Sequence, residues 1–160
     1  MDAVSIVAAK GFSANGIAAG IKDGDRDLAV LLSDEPVVTA ARFTKNLAAA
    51  APVQLDRERL SSSHLMRGVV VNSGCANAAT GATGYANAQT MTEVLAAAAG
   101  GQPSEYLACS TGTIGPQLPM EAITAGIAKA VAGTGSHSST GTAAALAIMT
   151  TDSVPKEAVI

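Results

Sequence analysis

The sequence predicts an α/β fold, in which helices cover a β-sheet, as a single domain over residues 1–160. Short aliphatic and β-branched runs alternate along the chain with Ala-rich stretches of helical periodicity, and turn residues separate them. This alternation is typical of helices packed on a sheet. The chain has 48% hydrophobic and 14% charged residues, which is enough apolar material to bury a core.

Four strands are predicted. Residues 28–32, 37–43 and 68–71 are rich in aliphatic and β-branched side chains, and each run ends at turn-forming residues. Residues 106–109 form a fourth run of this kind, which leads directly into the sequence Ser-Thr-Gly.

The clearest helix prediction covers residues 86–99. Its larger apolar residues recur at the spacing of one helix face, and a Gly-Gly pair at 100–101 ends the pattern. The residues on this face are Met91, Val94, Leu95 and Ala98.

Two further helices are predicted toward the end of the chain. Pro119 is suited to the first turn of a helix whose apolar residues are Met120, Ile123, Ile127 and Val131. Residues 133–141 are then expected to form a mobile loop. A last helix is expected to begin near Thr142, and to bury Ala143, Leu146 and Ala147.

Composition and charge argue against several classes of partner. The formal net charge is −3 without a basic run, and aromatic residues make up 2%, so neither phosphate contacts nor base stacking has an evident source. No apolar run approaches the roughly 20 residues that span a bilayer. The first residues also lack the pattern of a secretion signal. We therefore expect that the protein binds neither nucleic acid nor a membrane, and that it is cytoplasmic.

The residues that most often bind metals are few. Cys75 and Cys109 lie 34 positions apart without a CxxC pattern, and we expect two reduced, buried thiols and no metal site. His64 and His137 both stand in polar segments, where we expect exposed loops without a catalytic role. The charged run at residues 56–59, Asp-Arg-Glu-Arg, is interpreted as a solvated helix face.

Two short segments carry hydroxyl groups at predicted element ends. Thr111 and Gly112 follow the fourth strand, and a hydroxyl with a backbone N–H could stabilise the oxyanion of an acyl-transfer reaction. Taken alone, this sequence is also a common strand-ending turn. Thr150, followed by Thr151 and Asp152, is likewise in isolation an ordinary helix exit before a proline.

Seven segments occur in the same order as in the ornithine acetyltransferases, also called bifunctional glutamate N-acetyltransferases. The chain therefore resembles the α chain of that family. The matching segments are GFSANGIAAGIK (11–22), DLAVLLSD (27–34), FTKN (43–46), AAPV (50–53), VNSGCANAATG (71–81), CSTGTIGPQLPM (109–120) and AIMTTDSVPK (147–156).

The resemblance implies a finer fold and a partner. The fold would be a four-layer αββα arrangement similar to N-terminal-nucleophile hydrolases, completed with a β chain cut from the same precursor. That β chain would begin with the nucleophilic Thr, and two copies of each chain would form an α2β2 heterotetramer. The present chain would be the α chain, apparently lacking its C-terminal tail.

The resemblance also implies a reaction and its site. Acetyl would pass from N2-acetylornithine to the β-chain Thr and then to glutamate, in arginine biosynthesis, with no cofactor and no metal. Thr111 and Gly112 would form the oxyanion hole and Thr150 would contact the amino-acid substrate. Whether acetyl-CoA is a second acetyl donor stays open.

Three alternatives also stay open. An aminopeptidase of the N-terminal-nucleophile type and an acetyltransferase of an antibiotic pathway share the expected fold. A non-catalytic phosphate- or nucleotide-binding α/β module is the third. Residues 81–88, GATGYANA, favour it only weakly, because they match neither GxGxxG nor GxxxxGK followed by Ser or Thr.

Overall fold

A computed structural model describes residues 5–159. Its sheet has the spatial order β1 (Phe12–Ile17), β2 (Leu28–Val38), β3 (Leu65–Cys75) and β4 (Tyr106–Thr113). The pairs β1–β2 and β2–β3 are antiparallel, whereas β3 and β4 are parallel. This mixed sheet, with helices on it, confirms the predicted α/β class.

One face of the sheet carries three helices, α1 (Ala51–Ser62), α2 (Gly81–Ala99) and α3 (Met120–Ala132). Alternate strand residues point to this face and pack with the helices into the main core. The core is made of aliphatic residues with a single aromatic ring among its buried members, which include Leu28, Val30, Val70, Met91, Leu95, Tyr106, Ile123 and Ile127.

The opposite face carries α4 (Ser138–Ala147) and a 3₁₀ turn at Ile6–Ala8. This second, smaller core is built from small side chains: Val7, Ala14, Ala29, Ala144 and Ala147. A short 3₁₀ turn, Pro103–Glu105, precedes β4.

Three of the four predicted strands lie within longer observed strands, but the strand predicted at 37–43 is wrong. Val37 and Val38 complete β2, which continues past a register irregularity between Leu32 and Val37. Val38 pairs with Leu65, the first residue of β3. Because β3 begins at Leu65, it has no residues left to pair with residues 39–43, which lie outside the sheet.

The helix predictions are confirmed for α2 and α3. The helix predicted at 86–99 begins earlier, at Gly81, and α3 begins at Met120 directly after Pro119. Met91 and Leu95 are buried as expected, whereas Ala98 is exposed.

The last helix differs from its prediction at two points. It begins at Ser138 rather than Thr142, so part of the expected loop 133–141 is helical. Leu146, expected to be buried, is 38% exposed. The reason is close packing: a Cβ at Gly16 of β1 would lie 2.0 Å from the Ala143 carbonyl oxygen, so only small side chains fit between α4 and the sheet.

The charged run at 56–59 is not a uniformly solvated face. Asp56 is buried and accepts the backbone N–H of Ala108 at 3.0 Å. Arg59 donates to the carbonyl oxygen of Tyr106 and, at 2.7 Å, to the hydroxyl of Thr92. These two side chains of α1 therefore satisfy backbone groups along the outer side of β4.

The cysteine prediction holds for one residue of two. Both thiols are free of disulfides, but Cys75 is buried and Cys109 is exposed. Although Cys109 has accessible surface, the protein around its thiol disfavours the thiolate. This desolvation, with a smaller contribution from Asp56, raises the pKa of Cys109 to about 11.

Candidate active site

The Thr111–Gly112 pair lies within the last residues of β4, which runs to Thr113, and not in a turn after the strand as expected from the sequence. The parallel register places Ser73 of β3 opposite Thr111, and Gly74 opposite Gly112. Thr111 is partly exposed and Gly112 is exposed. A hydroxyl and a main-chain donor are thus presented at one strand end.

The N–H of Gly112 points away from β3. Successive residues of a strand direct their N–H groups to alternate sides, and Ala108 of the same strand donates outward to Asp56 of α1. Gly112 follows four residues later in an unbroken register, so its N–H has the same direction. Whereas α1 covers this edge at Ala108, Gly112 lies beyond that contact and is exposed.

Ser73 connects this strand end to α4. Its side chain is fully buried, and its hydroxyl donates to the carbonyl oxygen of Ala147 at 2.7 Å. Ala147 is the last residue of α4 and carries one of the helix's terminal carbonyl groups, which lack a partner within the helix. The strand residue next to Thr111 therefore anchors the helix that ends three residues before Thr150.

Lys22 makes a second connection between the two segments. Its Nζ donates to the carbonyl oxygen of Met149 at 2.9 Å. Its stem lies against β3, because a Cβ added at Gly74 would be 2.8 Å from Lys22 Cγ. Lys22 therefore contacts the neighbour of Thr150 and the glycine paired with Gly112.

A buried carboxylate holds the loop that carries Lys22. Asp27 is fully buried, and its two oxygens accept four backbone N–H groups at 2.6–3.1 Å. These donors belong to Ala19, Gly20, Ile21 and Lys22. Such charge-assisted hydrogen bonds are short and strong, so the backbone of Lys22 is firmly placed.

Thr150 is exposed and follows α4, as the predicted helix exit requires. It lines a cavity of about 350 Å³ together with residues of both charges, among them Lys22, Asp25, Arg26 and Asp152. Thr151 and Asp152 are exposed, and Asp152 forms an ion pair with Lys156. The cavity has room and charge for a small polar molecule.

Ser73, Lys22 and Asp27 had not been singled out in the sequence. Each lies inside a segment that carries the family resemblance, and this was the one available signal. Their contacts with distant parts of the chain are visible only in the folded structure.

The histidines lie in exposed positions, as predicted. His64 lies between α1 and β3, and His137 directly precedes α4. Neither lines the cavity beside Thr150.

A larger cavity of about 620 Å³ adjoins the start of α2. It is lined mainly by alanines and by neutral polar groups, including Asn46, Gln54, Thr80 and Tyr85. None of its lining residues is Lys or Arg, so no cation balances the charge of a phosphate there.

Between residues 5 and 159, no three or more His, Cys, Asp or Glu side chains are grouped so as to hold a metal ion. Over the same residues, no helix combines the length and apolar character needed to cross a bilayer.

Fold and site together define a class: an α/β chain with a mixed sheet, whose parallel strand pair ends at a hydroxyl and a backbone donor and is tied to a small polar cavity. A family model described as "ArgJ family" matches residues 13–160. The chain belongs to this family, which confirms the resemblance read from its seven segments.

Curated relatives are similar over nearly all of this chain. The arginine biosynthesis bifunctional protein ArgJ of Thermobifida fusca is 48% identical over 155 residues, covering 96% of this chain and 40% of the relative. ArgJ of Chlorobaculum tepidum is 49% identical over 148 residues, covering 92% and 36% respectively. The chain thus spans about two fifths of the length of the curated relatives that it matches.

Two solved structures have the same fold. ArgJ of Bacillus halodurans superposes with a TM-score of 0.91 at 36% identity, over 96% of this chain and 80% of that one. The Mycobacterium tuberculosis ornithine acetyltransferase, solved in complex with ornithine, gives 0.90 at 42% identity, over 96% and 83%.

Proposed function

We propose that this chain is the α chain, one domain over residues 1–160, of an enzyme that moves acetyl from N2-acetylornithine to glutamate in arginine biosynthesis. Membership of the ArgJ family carries this proposal, together with the contacts that join the two site segments through Ser73 and Lys22. The ornithine in the complex of the Mycobacterium tuberculosis relative points to the same substrate class.

The partner in this proposal is a β chain from the same precursor, whose first residue is a Thr. Its α-amino group takes the hydroxyl proton as the Thr oxygen attacks the acetyl carbonyl carbon. Ornithine then leaves with that proton on its nitrogen, and acetyl remains as an ester on the Thr. Glutamate reverses these steps by attacking the ester through its own amine, and N-acetylglutamate departs.

Thr111 and Gly112 would serve both halves of this cycle. Each half passes through a tetrahedral intermediate, whose oxygen becomes negative. The Thr111 hydroxyl and the outward N–H of Gly112 are the two donors assigned to that oxygen. No cofactor and no metal takes part in the proposed steps.

Thr150 would contact the amino-acid portion of the substrate. The adjoining cavity of about 350 Å³ offers Arg26 as a cation and Asp25 and Asp152 as anions, while the ammonium group of Lys22 in its wall is bonded to the Met149 carbonyl. Ornithine carries a carboxylate and amines, so charges of both signs suit it.

The sheet offers a surface for the β chain. Tyr106 and Ala108 are buried against the helices, whereas Leu107, Cys109 and Thr111 alternate with them and are partly or fully exposed. A second sheet from the β chain, packed on this face, would complete the four-layer fold. We propose an α2β2 assembly in the cytoplasm.

Intact mass spectrometry of the full-length gene product tests covalent assembly. We expect two polypeptides that stay together without a disulfide, the second beginning with Thr. Incubation with N-acetylornithine should add one acetyl group to the second polypeptide only. A fully active, uncut single chain would contradict the proposal.

Substrate assays separate the alternatives. Transfer of labelled acetyl from N-acetylornithine to glutamate is the expected activity, and the same assay with acetyl-CoA decides whether it is a second donor. Release of amino acids from peptides would instead identify an aminopeptidase. Thermal stabilisation by ATP or NAD, and not by N-acetylornithine, would favour a nucleotide-binding module.

A further inference from the structure

Lys22 lies where the two parts of the proposed site meet. Its ammonium group holds the Met149 carbonyl at 2.9 Å, immediately before Thr150. Its stem contacts the position of Gly74, which is paired with Gly112 across β3 and β4. Among the side chains described above, Lys22 alone contacts both the residue before Thr150 and the strand position paired with Gly112.

The backbone of Lys22 cannot shift easily. Its own N–H and that of Ile21 both donate to Oδ2 of the buried Asp27, at 2.9 and 2.6 Å. Asp27 is in turn tied to β3, because the N–H of Ser73 donates to the Asp27 carbonyl at 2.8 Å. Lys22 therefore extends from a rigid base toward a segment outside regular secondary structure.

The other side-chain anchors of the segment around Thr150 lie on either side of it: Ser73 holds the Ala147 carbonyl, and Glu157 accepts the Thr142 hydroxyl at 3.0 Å. Met149 donates its N–H to the Leu146 carbonyl at 3.3 Å, and Thr150 itself is exposed. A single lysine hydrogen bond can hence decide where the Thr150 hydroxyl lies.

We propose that Lys22 is a positioning residue, whose ammonium group holds the Met149 carbonyl and so places Thr150 against the strand end that carries Thr111 and Gly112. This inference rests on the proposed function, because it assigns Lys22 an effect on substrate binding through Thr150. Lys22 acts on the protein segment and not on the reacting atoms.

The first test is kinetic and uses the full-length, self-cleaved enzyme. Lys22→Met keeps the stem and removes the ammonium group, so KM for N-acetylornithine should rise several-fold, up to the effect of losing the neutral hydrogen bond of Thr150, about 0.5–1.5 kcal/mol. kcat should change by less than about threefold. Lys22→Arg retains a donor for the Met149 carbonyl and should restore most of the affinity for N-acetylornithine. Lys10 is exposed, and Lys10→Met should have the kcat and KM of the parent.

A double-mutant cycle separates positioning from a general structural effect. If Lys22 acts through Thr150, then Lys22→Met combined with Thr150→Val should raise KM no more than the larger single change. Multiplication of the two separate effects, or a KM for Lys22→Met within twofold of the parent, would overturn the proposal.

Limited trypsin digestion tests the same contact without activity. Loss of the Lys22 hydrogen bond should loosen the segment after α4, so Lys22→Met should be cut severalfold faster after Lys156 than the parent or Lys10→Met. An unchanged rate would refute the holding role, even if the enzyme catalysed another reaction. Failure of acetyl transfer in the parent, with faster cutting in Lys22→Met, would instead refute the proposed function and leave Lys22 as the anchor of this segment.

Discussion

Gly112 of β4 lies so close to Gly74 of β3 that a Cβ on Gly112 would be 2.3 Å from the Gly74 carbonyl carbon. Gly112 also has a φ of +131°, a region that side chains disfavour. The glycine in Ser-Thr-Gly is thus required by the packing of two strands.

Gly112→Ala should therefore be severely destabilising. The new Cβ would push against main-chain atoms that cannot rotate away, and we expect a loss of at least about 3 kcal/mol in the free energy of unfolding. Urea denaturation of the full-length protein measures this loss. Gly115→Ala is the matched control, because Gly115 also has a positive φ, +107°, but nothing lies within 4 Å of its Cβ position. Equal losses in the two variants would contradict the packing argument.

Thr111→Val should impair the chemical step. It keeps the shape of the side chain but removes one donor of the proposed oxyanion hole, and we expect kcat to fall about 10²–10³-fold with a much smaller change in KM. The proposed self-cleavage would pass through its own tetrahedral intermediate, so only cleaved enzyme is assayed. Thr124→Val, in α3, is the control, because its hydroxyl bonds to the Met120 carbonyl within the helix. A kcat for Thr111→Val within a few-fold of the parent would remove Thr111 from the oxyanion hole.

Thr150→Val should weaken substrate binding. A contact with the amino-acid portion exists in both ground and transition states, so its loss raises KM more than it lowers kcat. A neutral hydrogen bond contributes about 0.5–1.5 kcal/mol, which predicts a several-fold rise in KM for N-acetylornithine.

The two histidines are the controls for Thr150. His64→Ala and His137→Ala should leave both kinetic constants nearly unchanged, since both side chains are exposed away from the cavity. A large fall in kcat with an unchanged KM in Thr150→Val would make Thr150 catalytic. A strong effect of either histidine would show that the α chain supplies an acid or base.

Asp56 should make stability depend on pH. Burial raises its pKa from 3.8 to about 6, although the Ala108 N–H and Arg59 partly oppose this shift. The folded state therefore binds the proton more tightly than the unfolded state does. The stability contribution of protonated Asp56 is complete below about pH 4, and it is lost as pH rises through about 6.

Asp56→Asn tests this dependence, because the amide oxygen can still accept from Ala108 but does not titrate. The free energy of unfolding of the variant, relative to the parent, should rise between pH 4 and pH 8 by up to about 3 kcal/mol, from a shift of roughly two pKa units. Asp23 is exposed, so the free energy of unfolding of Asp23→Asn should change with pH in parallel with that of the parent. Parallel curves for Asp56→Asn would show that the carboxylate is not disfavoured by burial.

Asp27→Asn should destabilise the loop that carries Lys22. An amide places an N–H₂ where a carboxylate oxygen accepts backbone donors, so at least one of the four N–H groups loses its partner. We expect a loss of more than about 3 kcal/mol by chemical denaturation, since each of these hydrogen bonds reaches a charged group. Asp25 lies nearby and is exposed, so Asp25→Asn is the control. Its free energy of unfolding should stay within about 0.5 kcal/mol of that of the parent.

Local pattern was sufficient for much of the fold. Helix α2 and helix α3 follow from apolar spacing and from Gly and Pro at their ends, and β3 and β4 follow from aliphatic runs before turns. Strand β1 escaped prediction because its sequence, FSANGI, has large apolar residues only at its two ends, with Ser, Ala, Asn and Gly between them. Its place in the sheet comes from pairing with β2.

The candidate residues Thr111, Gly112 and Thr150 were named through the family resemblance, since each is an ordinary turn residue in its local sequence. Their roles remain predictions. The resemblance could select them because seven segments in one order match few protein families. It does not show which other side chains contact them.

The sequence by itself determined the α/β class, most elements and the family. Only the tertiary structure decided that Asp56 is buried, that Leu146 is exposed, and that Lys22 and Ser73 reach carbonyls 127 and 74 residues away. The physical reason is that periodicity reports which face of an element is apolar. The partner of a polar group depends instead on which distant segment the fold brings within about 3 Å of it.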